Sequence, residues 1–401
     1  MKPELLSPVQ DLVSLKAAIE AKADAVYFGA KELNMRFKAK NFELSEIKKV
    51  IELCHKNNVR AYFTLNAVVY DDEEGKVRKI LKKLKRDGIN AVIAWDFSVI
   101  SGCEKLNIPI HLSTQASVSN FEAVKALKTR FRSIKRINLA RELSLEQIKD
   151  IIKKIKKDKL GIEIEAFVHG AMCVSFSGRC FLSQEIFNKS ANRGECLQPC
   201  RRRYIIKDAE EGHELELGED YIISPKDLCT VDILDKLISA GIDAFKIEGR
   251  NRSPEYVKKV TECYREAIDN PGADKKRLKE KLRTVYNRGF SSGFYLGKPM
   301  NEWCKTYGSR AVKKKVYIGK VINYYKKIGV AEVLLETGDI RLNDEIIFQG
   351  NKTGVREQKV ASIEVRDRKT GMAKKGQRAG IKTEDIVREN DRVFLVKTDP
   401  G

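Results

Sequence analysis

The chain has 401 residues, 77 of them Lys or Arg against 56 Asp or Glu, for a formal net charge of +21. A hydrophobic share of 42 % excludes wholesale disorder, and no window approaches the run of about 18 apolar residues that a membrane-spanning helix needs. The opening MKPELLSPVQDLVSLKAAIE has no basic run followed by an apolar stretch, so an unprocessed, cytoplasmic chain that does not enter a membrane is expected. The positive surplus favours polyanions such as RNA, DNA, an anionic surface or phosphorylated substrates, while a Lys- and Glu-rich, Gln-poor composition also suits a heat-adapted protein.

Short apolar runs alternate with longer amphipathic stretches through residue 270. Strands are predicted at Glu4–Leu6, Ala25–Gly29, Ala61–Leu65, Ala91–Ala94, Ile110–Ser113, Arg136–Leu139, Ile162–Val168 and Ala244–Ile247. Helical periodicity lies between them in VSLKAAIEAK, LSEIKKVIELCHK, KVRKILKKLKRDG, NFEAVKALKT and SLEQIKDIIKKIKK. Eight strand–helix units over residues 1–270 predict an α/β fold, a (β/α)8 TIM-barrel-like domain, rather than an open doubly wound sheet. The regularity breaks once, at residues 169–243, far longer than the unit requires; a loop of that length inside a compact domain is usually functional. Residues 271–308 are expected to form a charged helical and loop connector. Residues 309–401 read as short alternating strands with Gly and Asn-Asp turns, the pattern of a small antiparallel β-barrel. They hold 21 Lys+Arg and 13 Asp+Glu, so this basic domain is a candidate binding module, with a structural cap as the other reading.

Nine cysteines are present, and Cys54, Cys103, Cys229, Cys263 and Cys304 stand singly in apolar or helical text as small core residues. The other four, Cys173-x6-Cys180 and Cys196-x3-Cys200, fall within the long break. Four thiols so close suit a soft metal centre, and their wide gaps fit the perimeter of a 4Fe-4S cluster better than a zinc knuckle. Zinc, and redox or buried thiols, remain the alternatives. Arg179, Arg193, Arg201, Arg202 and Arg203 surround them in sequence and are expected to lower the thiol pKa values.

The blocks Glu165-Ala-Phe-Val-His169-Gly-Ala-Met-Cys173, Gly178-Arg-Cys180, Asn192-Arg-Gly-Glu-Cys196-Leu-Gln-Pro-Cys200-Arg201, Ser224-Pro-Lys-Asp-Leu228 and Lys246-Ile-Glu-Gly-Arg250-Asn-Arg252-Ser253 resemble the signature of peptidase family U32. Tyr27-Phe-Gly29, Asn34-Met-Arg36 and Ser113-Thr-Gln115-Ala-Ser117 also fit, whereas Ser7-Pro8-Val9-Gln10 departs from the family's usual Pro-Ala-Gly turn. The family name implies proteolysis, and some members are described as collagenase-like. Other members are O2-independent hydroxylation proteins that carry a 4Fe-4S cluster and act on tRNA wobble uridine, on ribosomal RNA cytidine or on quinone precursors. The tRNA branch implies a prephenate-type hydroxyl source. The resemblance carries the cluster ligands to Cys173, Cys180, Cys196 and Cys200, with Cys229 as core or a spare ligand.

Polar residues at the C-terminal ends of barrel strands are candidate catalytic groups: Asn66, Asp96, Gln115, Arg141, His169 and Glu248. His169, beside the cysteines, is the histidine with functional potential. His111 reads as a satisfied core group, and His55 and His213 as surface groups. Arg250 and Arg252 are candidates for holding a dicarboxylate, and Arg201, Arg202 and Arg203 for RNA phosphate. There is no H-E-x-x-H, so proteolysis lacks a visible metal-based mechanism. The expected function is hydroxylation of tRNA uridine. A U32 peptidase and an RNA-binding scaffold with a structural cluster stand as alternatives.

Overall fold

The computed structural model describes residues 2–37, 39–202, 204–207, 209–212, 214–216, 223–299, 302–305 and 308–398. Eight parallel strands form a closed ring: Glu4–Pro8, Ala25–Phe28, Arg60–Thr64, Ala91–Ala94, Ile110–Leu112, Ile134–Asn138, Glu163–Gly170 and Ala244–Ile247. The eighth strand closes it by pairing with both the first and the seventh. Each predicted strand falls on an observed one, with ends shifted by no more than two residues. The five predicted helices also form, several of them started by side-chain caps such as Asp11, Asn120 and Ser144. Three further wall helices, Phe97–Lys105, Leu234–Ser239 and Pro254–Asp269, also form among the described residues and are not predicted from the sequence.

Apolar side chains fill the layer between strands and helices, where Phe28, Phe63, Leu81, Ile110 and Ile152 belong to one large core. The inside of the ring is different. Glu4, Tyr62, His111, Arg136, Asn138, Glu165 and Lys246 are all buried. Arg136 of the sixth strand donates to Glu4 of the first at 2.5 Å, and Tyr62 of the third donates to the same carboxylate at 2.9 Å, contacts that only the barrel interior can span. Lys246 pairs with Glu165 at 2.9 Å. His111 lies edge-on against Tyr62 with centroids 4.4 Å apart. Burial, then Arg136 and Lys246, push its pKa well below the ordinary value. It is a core residue, yet its Nδ1 has no hydrogen-bond partner among the described residues, so the expectation of full satisfaction is corrected.

The seventh strand outruns the barrel to Gly170, where Leu228 and Cys229 pair with it antiparallel. Between those points the described residues form a short helix, Leu182–Phe187, single turns at Ala191–Arg193 and Pro199–Arg201, and a small hairpin. The predicted connector is not a free spacer: Leu278 and Leu282 sit in the main core, and Phe290–Ser291 pairs beside Asp227–Leu228. Residues 313–398 form an eight-stranded antiparallel sheet around a separate core, with a further two-stranded sheet. This domain docks on the barrel wall, where Ala17 packs under Ile347, Val355 and Phe394. Arg356 grips Glu20 at 2.7 Å, and Lys259 pairs with Glu357 at 2.9 Å. No helix among the described residues is long and apolar enough to cross a membrane.

Candidate active site at the barrel mouth

A cavity of about 330 Å³ opens at the C-terminal ends of the strands. Its floor is the last interior layer of the barrel, with Tyr27, Ile93, Phe167 and Lys246. Its walls bring together five residues predicted at strand ends: Asn66, Gln115, Arg141, Glu248 and Arg250. The insertion roofs it with residues 172–178, and Phe294 and Trp303 close the far side. This is where a barrel concentrates its chemistry, because loops of many strands converge there.

Glu248 does not pair with Arg250. Its carboxylate receives Arg36 Nη2 at 2.8 Å and Nε at 3.1 Å. Burial alone would raise the Glu248 pKa, but Arg36, Arg141 and Arg250 outweigh it and hold the carboxyl below its usual range. Arg250 is buried and donates only to neutral oxygens: Thr64 Oγ1 at 2.8 Å, Asn34 Oδ1 at 2.9 Å and Asn41 Oδ1 at 2.5 Å. Burial is the main reason its pKa falls to about 10, and its Nε has no partner among the described residues. Arg141 stacks 3.8 Å over Phe167 and donates to the Ala171 carbonyl at 2.9 Å. Two guanidiniums without a bonded carboxylate thus face one cavity, an arrangement suited to an anionic ligand.

Asn66 accepts from the Met35 amide at 3.2 Å, and Gln115 accepts from the Ser113 hydroxyl. The remaining candidates lie elsewhere. Asp96 caps the helix Phe97–Lys105 and holds the Val69 amide at 3.0 Å, a structural role. His169 is turned away from the cavity, packed against Tyr256, Tyr264 and Phe290. Burial, with Arg252 second, lowers its pKa to about 3, so it is neutral at physiological pH. A bulge explains the miss: Lys246 pairs with Phe167 but Ile247 with His169, so the side-chain alternation slips by one. Arg252 also leaves the cavity and stacks 3.5 Å over Tyr286. Arg201 is no free phosphate contact, since it holds Ser224 Oγ at 2.7 Å, the Pro225 carbonyl at 2.9 Å and the Met172 carbonyl. Arg202 is exposed, 4.4 Å over Phe187. Arg203, like His213, lies outside the described residues. Sequence reasoning gave no role to Arg36, Lys246 or Trp303; Arg36 stands 212 residues from its partner Glu248, a separation no spacing rule reaches.

Cys173 lines the cavity, and Cys180, Cys196 and Cys200 lie on the same insertion. None of the four is buried, whereas the other five cysteines are. Partial desolvation by the surrounding insertion raises the Cys196 and Cys200 pKa values, with mutual repulsion from Cys173 and Cys180 adding to it, while Arg36 acts on Cys196 and Arg201 on Cys200 in the opposite sense. The expected arginine-driven lowering is therefore outweighed. Backbone amides of Leu182 and Gln198 each point at a thiol sulfur, at 3.4 Å from Cys180 and Cys196. Amide donors to sulfur and four thiols within one another's field fit a shared positive centre. Among the described residues no three His, Cys, Asp or Glu converge to hold a single ion. Four thiols on one insertion are soft donors of the kind an iron–sulfur cluster takes.

The profile described as peptidase family U32 matches residues 10–305. A collagenase of Porphyromonas gingivalis is 42 % identical, over 98 % of this chain and 97 % of its own. The tRNA hydroxylation protein P1 of Bacillus subtilis is 36 % identical over 87 % of this chain and 84 % of its own. The 23S rRNA 5-hydroxycytidine synthase of Escherichia coli is 36 % identical over 66 % of this chain, which spans 39 % of that longer protein. A solved U32 peptidase superposes with a TM-score of 0.41 at 11 % identity, over 62 % of this chain and 93 % of the other.

Proposed function

For a chain that belongs to peptidase family U32, with a thiol of the cysteine insertion opening into an anion-suited cavity, we propose O2-independent hydroxylation of an RNA base. The substrate in this reading is the wobble uridine of tRNA, hydroxylated at C5, with a prephenate-type dicarboxylate as hydroxyl source. The observation that carries it is the meeting of Cys173, Arg141 and Arg250 in one cavity. Relatives named for tRNA and rRNA hydroxylation support the RNA class, and the +21 charge supports a polyanionic partner.

Cys173, Cys180, Cys196 and Cys200 would hold a 4Fe-4S cluster, which supplies a redox or Lewis-acid centre beside the substrate. Arg141 and Arg250 hold the dicarboxylate, while Arg36 keeps Glu248 ionised at the wall. Gln115 and Asn66 offer amide edges to the base, and Tyr27 and Phe167 exclude water from below. The collagenase names of other relatives favour a peptidase reading. A peptidase needs an activated nucleophile or a metal-bound water, and no histidine lines this cavity among the described residues.

The test is nucleoside analysis of tRNA from cells lacking the chain and complemented with wild type or Cys173→Ala. Hydroxylated uridine restored by wild type alone is the expected result. Unchanged tRNA together with cleavage of denatured collagen by both proteins would replace the hydroxylation reading with the peptidase.

A further inference from the structure

A second hollow lies just outside the cavity. It measures about 530 Å³ and is walled by the loops after the second and third strands on one side and by residues 184–195 of the insertion on the other. One layer of chain separates the two hollows: Met35, Arg36 and Asn66 face the cavity, while Leu33, Phe37 and Ala67 face the outer groove. Two aromatic rings, Phe37 and Tyr70, stand about half exposed in the groove, at 49 % and 56 %.

Tyr70 is held as a platform. Arg193 lies over its ring, 4.5 Å from the centroid, and is itself fixed by two bonds of 2.7 Å to Glu73. The cations of the groove are used up in this way, Arg193 by Glu73 and Lys76 by Glu32. Glu195, itself paired with Lys189, adds a further carboxylate to the lining, so the described groove residues leave no unpaired cation for a phosphate. What remains on offer is aromatic surface and amide edges. The side chains of Gln184 and Asn188 line the groove and make no hydrogen bond to any described residue.

We propose that this groove is a base-binding subsite that takes one unpaired nucleobase, that of the nucleotide flanking the one in the cavity. The inference rests on the RNA reading above and sharpens it: the substrate must present at least two consecutive unstacked bases, as a loop does and a duplex does not. The base stacks on Tyr70 and Phe37, and Gln184 and Asn188 meet its hydrogen-bonding edge. The phosphodiester linking the two nucleotides passes over the 33–37 wall, near Arg36 on the cavity side.

The test measures binding of a fluorescent RNA stem-loop to the full chain, with single abasic residues stepped through the loop. One abasic position next to the target nucleotide should weaken wild-type binding by about 5- to 100-fold, the range for one base–aromatic stack. Tyr70→Ala should weaken the intact RNA comparably and then be insensitive to that abasic position, whereas Tyr70→Phe should behave as wild type. If Tyr70→Ala and the abasic position act independently, or neither matters, the subsite is overturned while the RNA reading stands. If wild type fails to bind the loop at all, both fall together.

Discussion

The barrel wall and the cysteine insertion use the same residue type to opposite ends. In the wall, burial pushes the thiols of Cys54, Cys103 and Cys263 up to about 12 and that of Cys229 to about 11, which makes them inert small hydrophobes. In the insertion, the four thiols are exposed or half-buried, and two of them, Cys180 and Cys196, receive amide donors. Their backbone departs from regular structure, with left-handed residues at Ser177, Gly178, Gly194 and Gln198. Gly194 is a case where only glycine serves, because an added Cβ would lie 2.3 Å from the Asn34 carbonyl oxygen. The difference teaches that stability resides in periodic text, whereas reactive groups sit where periodicity stops.

The largest expected effect separates the two cysteine sets. Cys173→Ala, Cys180→Ala, Cys196→Ala and Cys200→Ala should each abolish bound iron, measured with acid-labile sulfide on anaerobically purified protein, and leave the barrel folded by circular dichroism. Cys263→Ser should keep its iron and lose about 1–3 kcal/mol in urea unfolding, the cost of burying an unsatisfied hydroxyl. Iron loss in Cys263→Ser, or unfolding in the insertion variants, would break the comparison.

A smaller effect is expected where insertion and barrel meet at the cavity. Arg36→Met removes the partner of Glu248 and should cost about 3 kcal/mol of stability through the stranded carboxylate. The double variant Arg36→Met, Glu248→Met should recover most of that stability without recovering product. Recovery of product would show that the pair only supports the fold.

The smallest effect at any one pH step belongs to the wall alone. His169 titrates at about 3 in the folded chain against 6.5 unfolded, so the unfolded chain binds the extra proton first. Its contribution is complete above pH 6.5 and is lost as pH falls toward about 3, at no more than about 1.4 kcal/mol per pH unit. Urea midpoints should therefore drop more steeply with acid in wild type than in His169→Phe. Parallel curves would show that another group governs the acid limb.

How much of this was legible follows from the physics of each part. Parallel barrel strands are buried on both faces and read as compact apolar runs, so Ala91–Ala94 and Ala244–Ile247 coincide with prediction to the residue. The cysteine spacing stood out because four thiols in 28 residues have few explanations. Glu4, Arg136, Glu165 and Lys246 were visible as charges within strands, but only ring closure shows that they meet inside. His169 was misplaced because a bulge leaves no mark in the sequence, and Arg201 because a chain-holding arginine looks the same as a phosphate-binding one.

The charged barrel interior has a thermal consequence. Desolvating an ion costs less as temperature rises, because ionic hydration becomes less favourable on heating. The Arg136–Glu4 and Lys246–Glu165 pairs, buried side by side in the ring, therefore weigh least against folding when the protein is hot. An aliphatic barrel filling gains little further in that range. The stability curve of this chain should accordingly be flatter on its high-temperature side than that of a barrel whose interior is packed with valine and leucine.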